Sequence, residues 1–435
     1  MPRISKTLTN QREALLARIR IAQRLAIGNN PAQALNSLEG LYGQIDLRDG
    51  EIAAIYLQAC AIARIKQRAV HEGLALFERA IASAREASEC LYARVLNNYG
   101  NAAVQTGRID LALPLLEEAL SLQRKFGTFS EPLVTLAEAS LAAGKLQKAA
   151  TLIKEFHTVQ FPRPEVLLAA ASVGVPVGLM LHDAELLQLS NDVALLDLAF
   201  ALGEQWILGP IVDAFCVLYE NEGRRSEHDA LLKRACRTVV SFDNSLSLAI
   251  RIARLADAGE LPRMRALMAR EAGGDACFFV GHRRLFEALI VRRRKLMTRS
   301  CEQASQAAED FRATGRPLLE SMALEAAGRR VEAGQVLQRA GARVPWTHMK
   351  WFGAPIGRRL AAPLSPRESQ VAQLAAGGST NKSIAVALHL SERTVHRHCE
   401  SIFGKLGIRS RWQLSDPIFG LARQPTVNVG NLRMS

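Results

Sequence analysis

The residues best suited to specific chemistry lie in one short segment near the C-terminus. With about 3.6 residues per helical turn, Arg393, Arg397, Glu400 and Ser401 share one side of a helix, with His396 at its edge. This face carries hydrogen-bonding groups and no large apolar patch, which suits insertion into the major groove of DNA. The alternative is an ordinary solvated helix face, and the face alone does not decide between them.

The other side of the same segment is apolar. Val395, Cys399, Ile402 and Leu406 fall within about 60° of one another around the helix axis. We expect this stripe to be core.

Three capping signals define the helices around this segment. Ser365 to Glu368 reads as a capping box with Pro366 at the first helical position, and its helix should run to Ala376 and stop at Gly377-Gly378. Thr380 should cap a second helix over 381–388, and Ser391 a third over 392–406, ended by Gly407. Short helices joined by a tight turn, the last one longer, form a helix-turn-helix.

Residues 364–414 resemble the LuxR-type DNA-binding domain, about 51 of 435 residues. The matching positions are Pro366-Arg367-Glu368, Gly378, Asn381-Lys382, Ile384-Ala385, Ser391, Thr394-Val395, His398, Ile402, Lys405-Leu406-Gly407 and Ser410-Arg411. The resemblance implies a four-helix module whose third helix enters the major groove.

The resemblance also assigns roles to residues. It implies base contacts for His396, Arg397 and Glu400, and a structural role for His398 at the edge of the core. The predicted phosphate contacts are Thr380, Lys382, Arg393, Thr394 and Lys405.

Three positions depart from the family pattern. His396 replaces a common Lys, which could make binding depend on pH. Gly404 replaces a common basic residue and costs the helix about 1 kcal/mol relative to Ala. Asp416-Pro417 interrupts the fourth helix, which in this family often forms the dimer contact.

Charge supports a polyanionic partner for this end of the chain. Residues 343–435 contain 13 basic and 4 acidic side chains, whereas residues 1–342 contain 42 and 38. A solubilising surface would give the same imbalance, so charge alone leaves both interpretations open.

The first half of the chain repeats. Asn29, Arg68, Gly107 and Gly144 are 39, 39 and 37 residues apart, and small or apolar residues recur in step around them. Weaker echoes surround Gly223, Gly259 and Gly328, and no register holds between 162 and 209. The pattern predicts stacked helix pairs, and its best unit, Tyr92 to Gly127, resembles a tetratricopeptide repeat.

The predicted fold is therefore all-α, a tetratricopeptide-like solenoid followed by the four-helix module. We expect repeats over 1–342, a linker over 343–363, the helix-turn-helix domain over 364–416 and a disordered tail over 417–435. A basic run within the predicted repeats is compatible with two interpretations, a solvated face or a contact for nucleic acid or a partner. The run consists of His282, Arg283, Arg284, Arg292, Arg293, Arg294, Lys295 and Arg299.

Several classes of protein are disfavoured. The motifs GxxxxGK[ST], HExxH, GxSxG and GxGxxG do not occur, and no strand–helix alternation precedes the linker, so neither an enzyme, an ATPase domain nor a receiver domain is expected. Seven cysteines without a CxxC make a disulfide framework or a cysteine zinc site improbable and favour the cytoplasm. The apolar stretch 166–181, broken by Gly174, Pro176 and Gly178, is expected to be too short for a membrane span.

Two functional hypotheses remain. The first is a bacterial transcription regulator that binds double-stranded DNA through its C-terminal module, needs no cofactor or metal, and binds a protein, peptide or small molecule in the groove of its repeats. RNA polymerase is a further candidate partner, and a homodimer a candidate assembly. The second is a repeat adaptor whose basic module binds protein or RNA.

Overall fold

The computed structural model describes residues 2–28, 30–238, 246–255, 261–273, 276–293, 296–343 and 365–406. These residues form 22 α-helices and a single 3-10 turn, and contain no strand. The all-α prediction is confirmed. The helices of the first half are α1 Pro2–Ile27, α2 Pro31–Glu39, α3 Gly50–Lys66, α4 Val70–Ala87, α5 Glu89–Gln105, α6 Ile109–Lys125, α7 Ser130–Ala142, α8 Leu146–Phe156 and α9 Pro164–Leu181.

Two further groups of helices complete the chain. Before the C-terminal module come α10 Ala184–Ser190, α11 Ala194–Leu202, α12 Gln205–Glu222, α13 Arg225–Thr238, α14 Leu246–Leu255, α15 Leu261–Glu271, α16 Cys277–Arg293, α17 Met297–Ala313, α18 Pro317–Ala326 and α19 Arg330–Arg339. The module contains α20 Pro366–Ala376, α21 Asn381–Ala387 and α22 Glu392–Leu406.

The repeating positions found in the sequence are the turns inside helix pairs. Arg68, Gly107 and Gly144 have φ of 69°, 83° and 72° and reverse the chain between α3 and α4, α5 and α6, and α7 and α8. Left-handed backbone is what a two- or three-residue reversal requires. Gly223 and Gly328 occupy the same kind of turn, whereas Asn29 and Gly259 lie outside the described residues.

The lost register between 162 and 209 has a structural reason. The short helices α10 and α11 both lie between α9 and α12, and α12 packs directly on α9. An additional helix beyond a helix pair thus lies in this segment, and it interrupts the periodic spacing of the repeats between 162 and 209.

Small residues allow the paired helices to approach. A Cβ on Gly100 in α5 would lie 2.5 Å from the Cγ of Leu116 in α6. Leu116 is itself fully buried. In this pair the repeated small residue therefore marks the point where the two helices cross, as the spacing predicted.

The later helices return to contact the early ones. A Cβ on Gly107 would lie 2.6 Å from the Cβ of Phe278, and one on Gly144 would lie 2.5 Å from the Cγ of Pro317. The backbone N–H of Arg343 donates to the carbonyl of Met180 at 2.8 Å. We call this surface the return interface. It joins turns of the first half to the loops that precede or follow pairs of the second half.

Arg316 is the buried charge of the return interface. Its side chain is 7% exposed, its guanidinium donates to the carbonyl oxygen of Val104, and its Cζ lies 4.8 Å from the centre of the Phe278 ring. Burial lowers the pKa of Arg316 to about 10, against the opposing effect of Glu138. The same burial raises the pKa of Glu138.

The basic run of α16 is largely occupied within the chain. His282 is buried, Arg283 donates to the carbonyl of Ala272, and Arg284 pairs with Asp310 at 2.7 Å. Arg292 donates to the carbonyl of Ala326 at 3.0 Å. Of these residues only His282 is buried, whereas Arg283, Arg284 and Arg292 are half-buried and each also bonds to an acceptor within the chain. Arg299 is exposed, while the side chain of Arg293 and residues 294–295 lie outside the described set.

The most apolar stretch forms the continuous helix α9. By length and composition this helix could cross a membrane, so the expectation that it is too short and too broken was wrong. However, 67% of it is buried among the other helices, as in the core helix of a folded domain. It is the single helix of this kind among the described residues.

We expect His282 to make the stability of the helix pairs depend on pH. Its Nδ1–H donates to the carbonyl of Phe278 at 2.7 Å, and burial lowers the pKa of His282 to about 3, with Arg316 adding to the effect. The unfolded chain binds a proton near pH 6.5 that the folded chain does not bind, so the free energy of unfolding falls as pH drops below about 6.5. At pH 5 the loss should be about 2 kcal/mol.

The measurement is urea unfolding at pH 7 and pH 5 for the natural chain and for His282→Gln. The variant lacks the imidazole and should lose less stability between the two pH values. Equal losses would show that His282 is not the titrating group.

Candidate nucleic-acid interface

The first helix of the C-terminal module begins at the predicted capping box. The N–H of Glu368 donates to the hydroxyl of Ser365 at 3.2 Å, and the N–H of Ser365 donates to Oε2 of Glu368 at 2.7 Å. Pro366 takes the first helical position, where its missing N–H has no helical acceptor to lose. The predicted bounds of α20, Pro366 and Ala376, are confirmed.

Hydroxyl caps also start the two helices of the helix-turn-helix. The hydroxyl of Thr380 accepts from the N–H of Ser383 at 3.2 Å, and that of Ser391 accepts from the N–H of Thr394 at 3.1 Å. His389 has φ of 52° in the turn between them. Both predicted caps and the bounds of α22 are confirmed, and α21 ends at Ala387, one residue before its predicted end.

The predicted core stripe of α22 is buried. Val395 and Ile402 are fully buried and Cys399 is 4% exposed. They pack with Val371, Ala372, Ala375, Ala376, Ile384 and Ala385 from the other two helices. The side chain of Leu406 lies outside the described residues. This cluster fixes which face of α22 points outward.

Arg393, His396, Arg397 and Glu400 are exposed on the other side of α22. Nε2 of His396 lies 3.7 Å from Oε1 of Glu400, with 66% and 67% of these side chains exposed. Two of the three predicted base-contacting groups thus lie side by side, while Arg397 stands next to them as an exposed guanidinium. The structure brings the three residues to one outward surface.

Ser401 has a role that the sequence did not reveal. The sequence placed it on the exposed face, where the structure also finds it, and its hydroxyl donates in addition to Oε1 of Glu368 at 2.7 Å. Glu368 is 5% exposed and uses its other oxygen in the capping box. Ser401 is therefore a positioning residue that fixes α22 against α20. Glu368 was visible in the sequence only as a cap, and nothing in the spacing pointed to its second partner.

Arg367 fixes the turn in a similar way. Its guanidinium donates to the carbonyl of Leu388 at the end of α21. The Pro366-Arg367-Glu368 segment thus contacts both helices of the helix-turn-helix, Arg367 through α21 and Glu368 through α22.

The predicted phosphate-contacting residues lie near the starts of α21 and α22. Thr380, Lys382 and Arg393 are exposed and Thr394 is half-buried. The hydroxyls of Thr380 and Thr394 pair with those of Ser383 at 2.9 Å and Ser391 at 2.8 Å. The side chain of Lys405 lies outside the described residues, as do Gly407, Ser410, Arg411 and Asp416-Pro417 of the predicted fourth helix and the tail.

Known proteins match this segment of the chain. Residues 362–416 match the family described as bacterial regulatory proteins, luxR family. The transcriptional regulatory protein ComA of Bacillus subtilis is 42% identical over 65 residues, which is 15% of this chain and 30% of ComA. The probable HTH-type transcriptional regulator GfsR of Streptomyces halstedii is 44% identical over 50 residues, 12% of this chain and 21% of GfsR.

A third relative is similar over the same region. The Fimbriae Z protein of Salmonella typhimurium is 44% identical over 62 residues, 14% of this chain and 30% of that protein. The chain therefore matches less than a third of the length of each of these three relatives. The capping box, the two capped helices, the buried stripe of α22 and these matches lead to one conclusion: residues 362–416 are a helix-turn-helix domain of the LuxR family.

Proposed function

We propose that this protein is a cytoplasmic transcription regulator that binds double-stranded DNA through residues 364–416. The observation that carries the proposal is the outward surface of α22, where Arg393, His396, Arg397 and Glu400 are exposed on a helix whose other face is buried. A rigid helix with such a surface can read base edges in the major groove. Two of the named relatives, ComA and GfsR, are described as transcriptional regulators and support the same function.

Within this proposal the exposed residues have two roles. His396, Arg397 and Glu400 contact bases, while Thr380, Lys382, Arg393, Thr394 and Lys405 contact phosphates. The N-termini of α21 and α22 add helix dipoles that favour an anion. Phosphate contacts position the domain and base contacts select the sequence.

The helix pairs before the domain would bind a protein, peptide or small-molecule partner, and residues 343–363 would connect the two parts. Stacked helix pairs usually act as binding surfaces rather than as catalytic sites. The proposed protein is therefore not an enzyme. RNA polymerase and a second copy of the chain are candidate partners.

We expect Arg397→Ala and Lys382→Ala to weaken DNA binding in different ways. Selection of genomic fragments bound by the purified full chain would first supply a preferred duplex. Arg397→Ala should cost about 1–3 kcal/mol on that duplex and relax the preference at one base position. Lys382→Ala should weaken binding to preferred and random duplexes by the same factor, because it removes a phosphate contact.

Fluorescence anisotropy on matched preferred and random duplexes measures both effects. Val386→Ala is the control, because Val386 is 73% exposed on α21 and has no proposed contact. If both variants acted uniformly on all sequences, the assigned face of α22 would be wrong. Preferential binding to RNA or to protein would instead favour the adaptor hypothesis.

A further inference from the structure

The outward surface of α22 carries a histidine and a carboxylate that lie together. Nε2 of His396 is 3.7 Å from Oε1 of Glu400, one helical turn further along. Residues four apart lie on the same face of a helix, so the two groups form one patch. About two-thirds of each side chain is exposed, 66% and 67%. In the proposed function this patch faces the base edges.

The partner of Glu400 is a side chain that can titrate, although permanent cations lie close by. Arg393 and Arg397 are exposed on the same helix, and within residues 365–406 neither forms an ion pair. Histidine is the side chain whose charge ordinarily changes between about pH 5 and about pH 8, whereas a guanidinium keeps its charge. The net charge of the His396–Glu400 patch therefore depends on pH, and that of the neighbouring Arg397 does not.

His396 contacts no other charged group in the part of the module that the structure describes. Its neighbours in sequence and on the packed helices are all engaged elsewhere or out of contact with it. They are Glu392, Arg393, Arg397 and His398 on α22, Arg367 and Glu368 on α20, Lys382 on α21 and His389 in the turn. Protonation of His396 is thus coupled by direct contact to Glu400 alone.

The two protonation states present different groups to a base pair. With a neutral His396, the patch carries the single negative charge of Glu400, and a carboxylate accepts from the amino group of cytosine. With a protonated His396, both ring nitrogens are donors, and donors suit N7 and O6 of guanine. Glu400 then balances the charge of the imidazolium instead of standing alone before the base.

The ion pair by itself is too weak to set the preference. An exposed pair of this spacing changes a population only about two-fold. In the groove the difference is larger, because a donor that faces the amino group of cytosine leaves a hydrogen bond unmade. One good base contact is worth about 5- to 150-fold in discrimination. The base edge therefore amplifies a change of state that costs little in the free protein.

We propose that His396 and Glu400 act as one proton-dependent reader of a single base pair, which selects cytosine when His396 is neutral and guanine when His396 is protonated. The inference rests on the proposed function and adds that the preferred sequence changes with pH. Arg397 keeps its own base preference in both states, because its charge is permanent.

Selection of random duplexes by the purified full chain at about pH 8 and about pH 5.5 tests the proposal. Fluorescence anisotropy on matched duplexes that differ at one base pair then gives the ratio of affinities for cytosine and guanine. At one position this ratio should fall at least about fivefold on acidification, and the other positions should keep their preferences. Circular dichroism at both pH values checks the fold, because the buried His282 should make the chain less stable in acid.

Two variants of His396 separate its charge from its presence. His396→Gln stays neutral and should prefer cytosine at both pH values, whereas His396→Lys is charged at both and should prefer guanine at both. The side chain is exposed, so neither change should alter the fold.

The outcomes distinguish this inference from the proposed function. If the natural chain showed the same preferences at both pH values while Arg397→Ala still relaxed one base position, the inference alone would be overturned. A pH-dependent shift that His396→Gln retained would overturn it as well, because another group would be titrating. A chain that bound no duplex at either pH would overturn the proposed function together with the inference.

Discussion

Raising the salt concentration from about 50 to about 200 mM should weaken binding of each domain to duplex DNA about 40-fold. Three of the proposed phosphate-contacting residues, Lys382, Arg393 and Lys405, are cationic. Each neutralised phosphate contributes about −0.9 to the slope of log K against log salt, so three give a slope of about −2.7. A chain that places two domains on one duplex should show twice this slope. Fluorescence anisotropy titrations at four or more salt concentrations measure it.

Lys382→Ala is the matched variant for this experiment, and its slope should be shallower by about 0.9. A chain that ends after Arg343 serves as the control, because residues 1–342 contain nearly balanced charges, and it should bind far more weakly. A slope near zero for the full chain would contradict the phosphate contacts. Equal binding by the truncated chain would contradict the location of the DNA-binding surface.

Gly107→Ala should lower the free energy of unfolding by about 3 kcal/mol, and Gly127→Ala by about 1 kcal/mol. Both glycines have left-handed backbone, with φ of 83° and 68°. A Cβ on Gly107 would lie 2.6 Å from that of Phe278, whereas one on Gly127 would meet nothing within 4 Å. Both substitutions therefore introduce similar backbone strain. The difference between their losses in free energy of unfolding measures the contact across the return interface.

Urea unfolding followed by circular dichroism gives both values under one set of conditions. Gly328→Ala is a second control, since Gly328 has φ of 82° and equally open surroundings. If Gly107→Ala cost no more than the two controls, the later helices would not rest on the α5–α6 turn in solution.

The sequence predicted local structure well because its signals are local. Ser365, Thr380 and Ser391 were each identified as caps from residue type and position, and each accepts the expected backbone N–H. The turn positions of the helix pairs followed from the spacing of Arg68, Gly107 and Gly144, since a period survives wherever every unit has the same number of helices. The period is lost at α11, because this additional helix changes the spacing between successive helix pairs.

Contacts between distant parts of the chain were not predictable from the sequence. Arg316 and Val104 are separated by 212 residues, and no spacing rule connects them. The basic run of α16 illustrates the same limit, because the sequence shows which residues carry charge but not that Asp310 and the carbonyl of Ala326 will accept from them. Ser401 is exposed, as its angle predicted, but the angle gave no sign of its hydrogen bond to Glu368.

The shared carboxylate of Glu368 has a consequence for how the domain meets DNA. One oxygen accepts from the first residue of the α20 cap and the other from Ser401 of α22, so fraying at the start of α20 would also cost a hydrogen bond to α22. Together with the buried stripe of α22, this bond should oppose local opening of the helix and help to set its orientation before any duplex arrives. Less conformational entropy remains to be lost on binding, so more of the contact energy contributes to affinity. Glu368 thus helps to hold the helix that carries the proposed base-contacting residues, although it is not one of them.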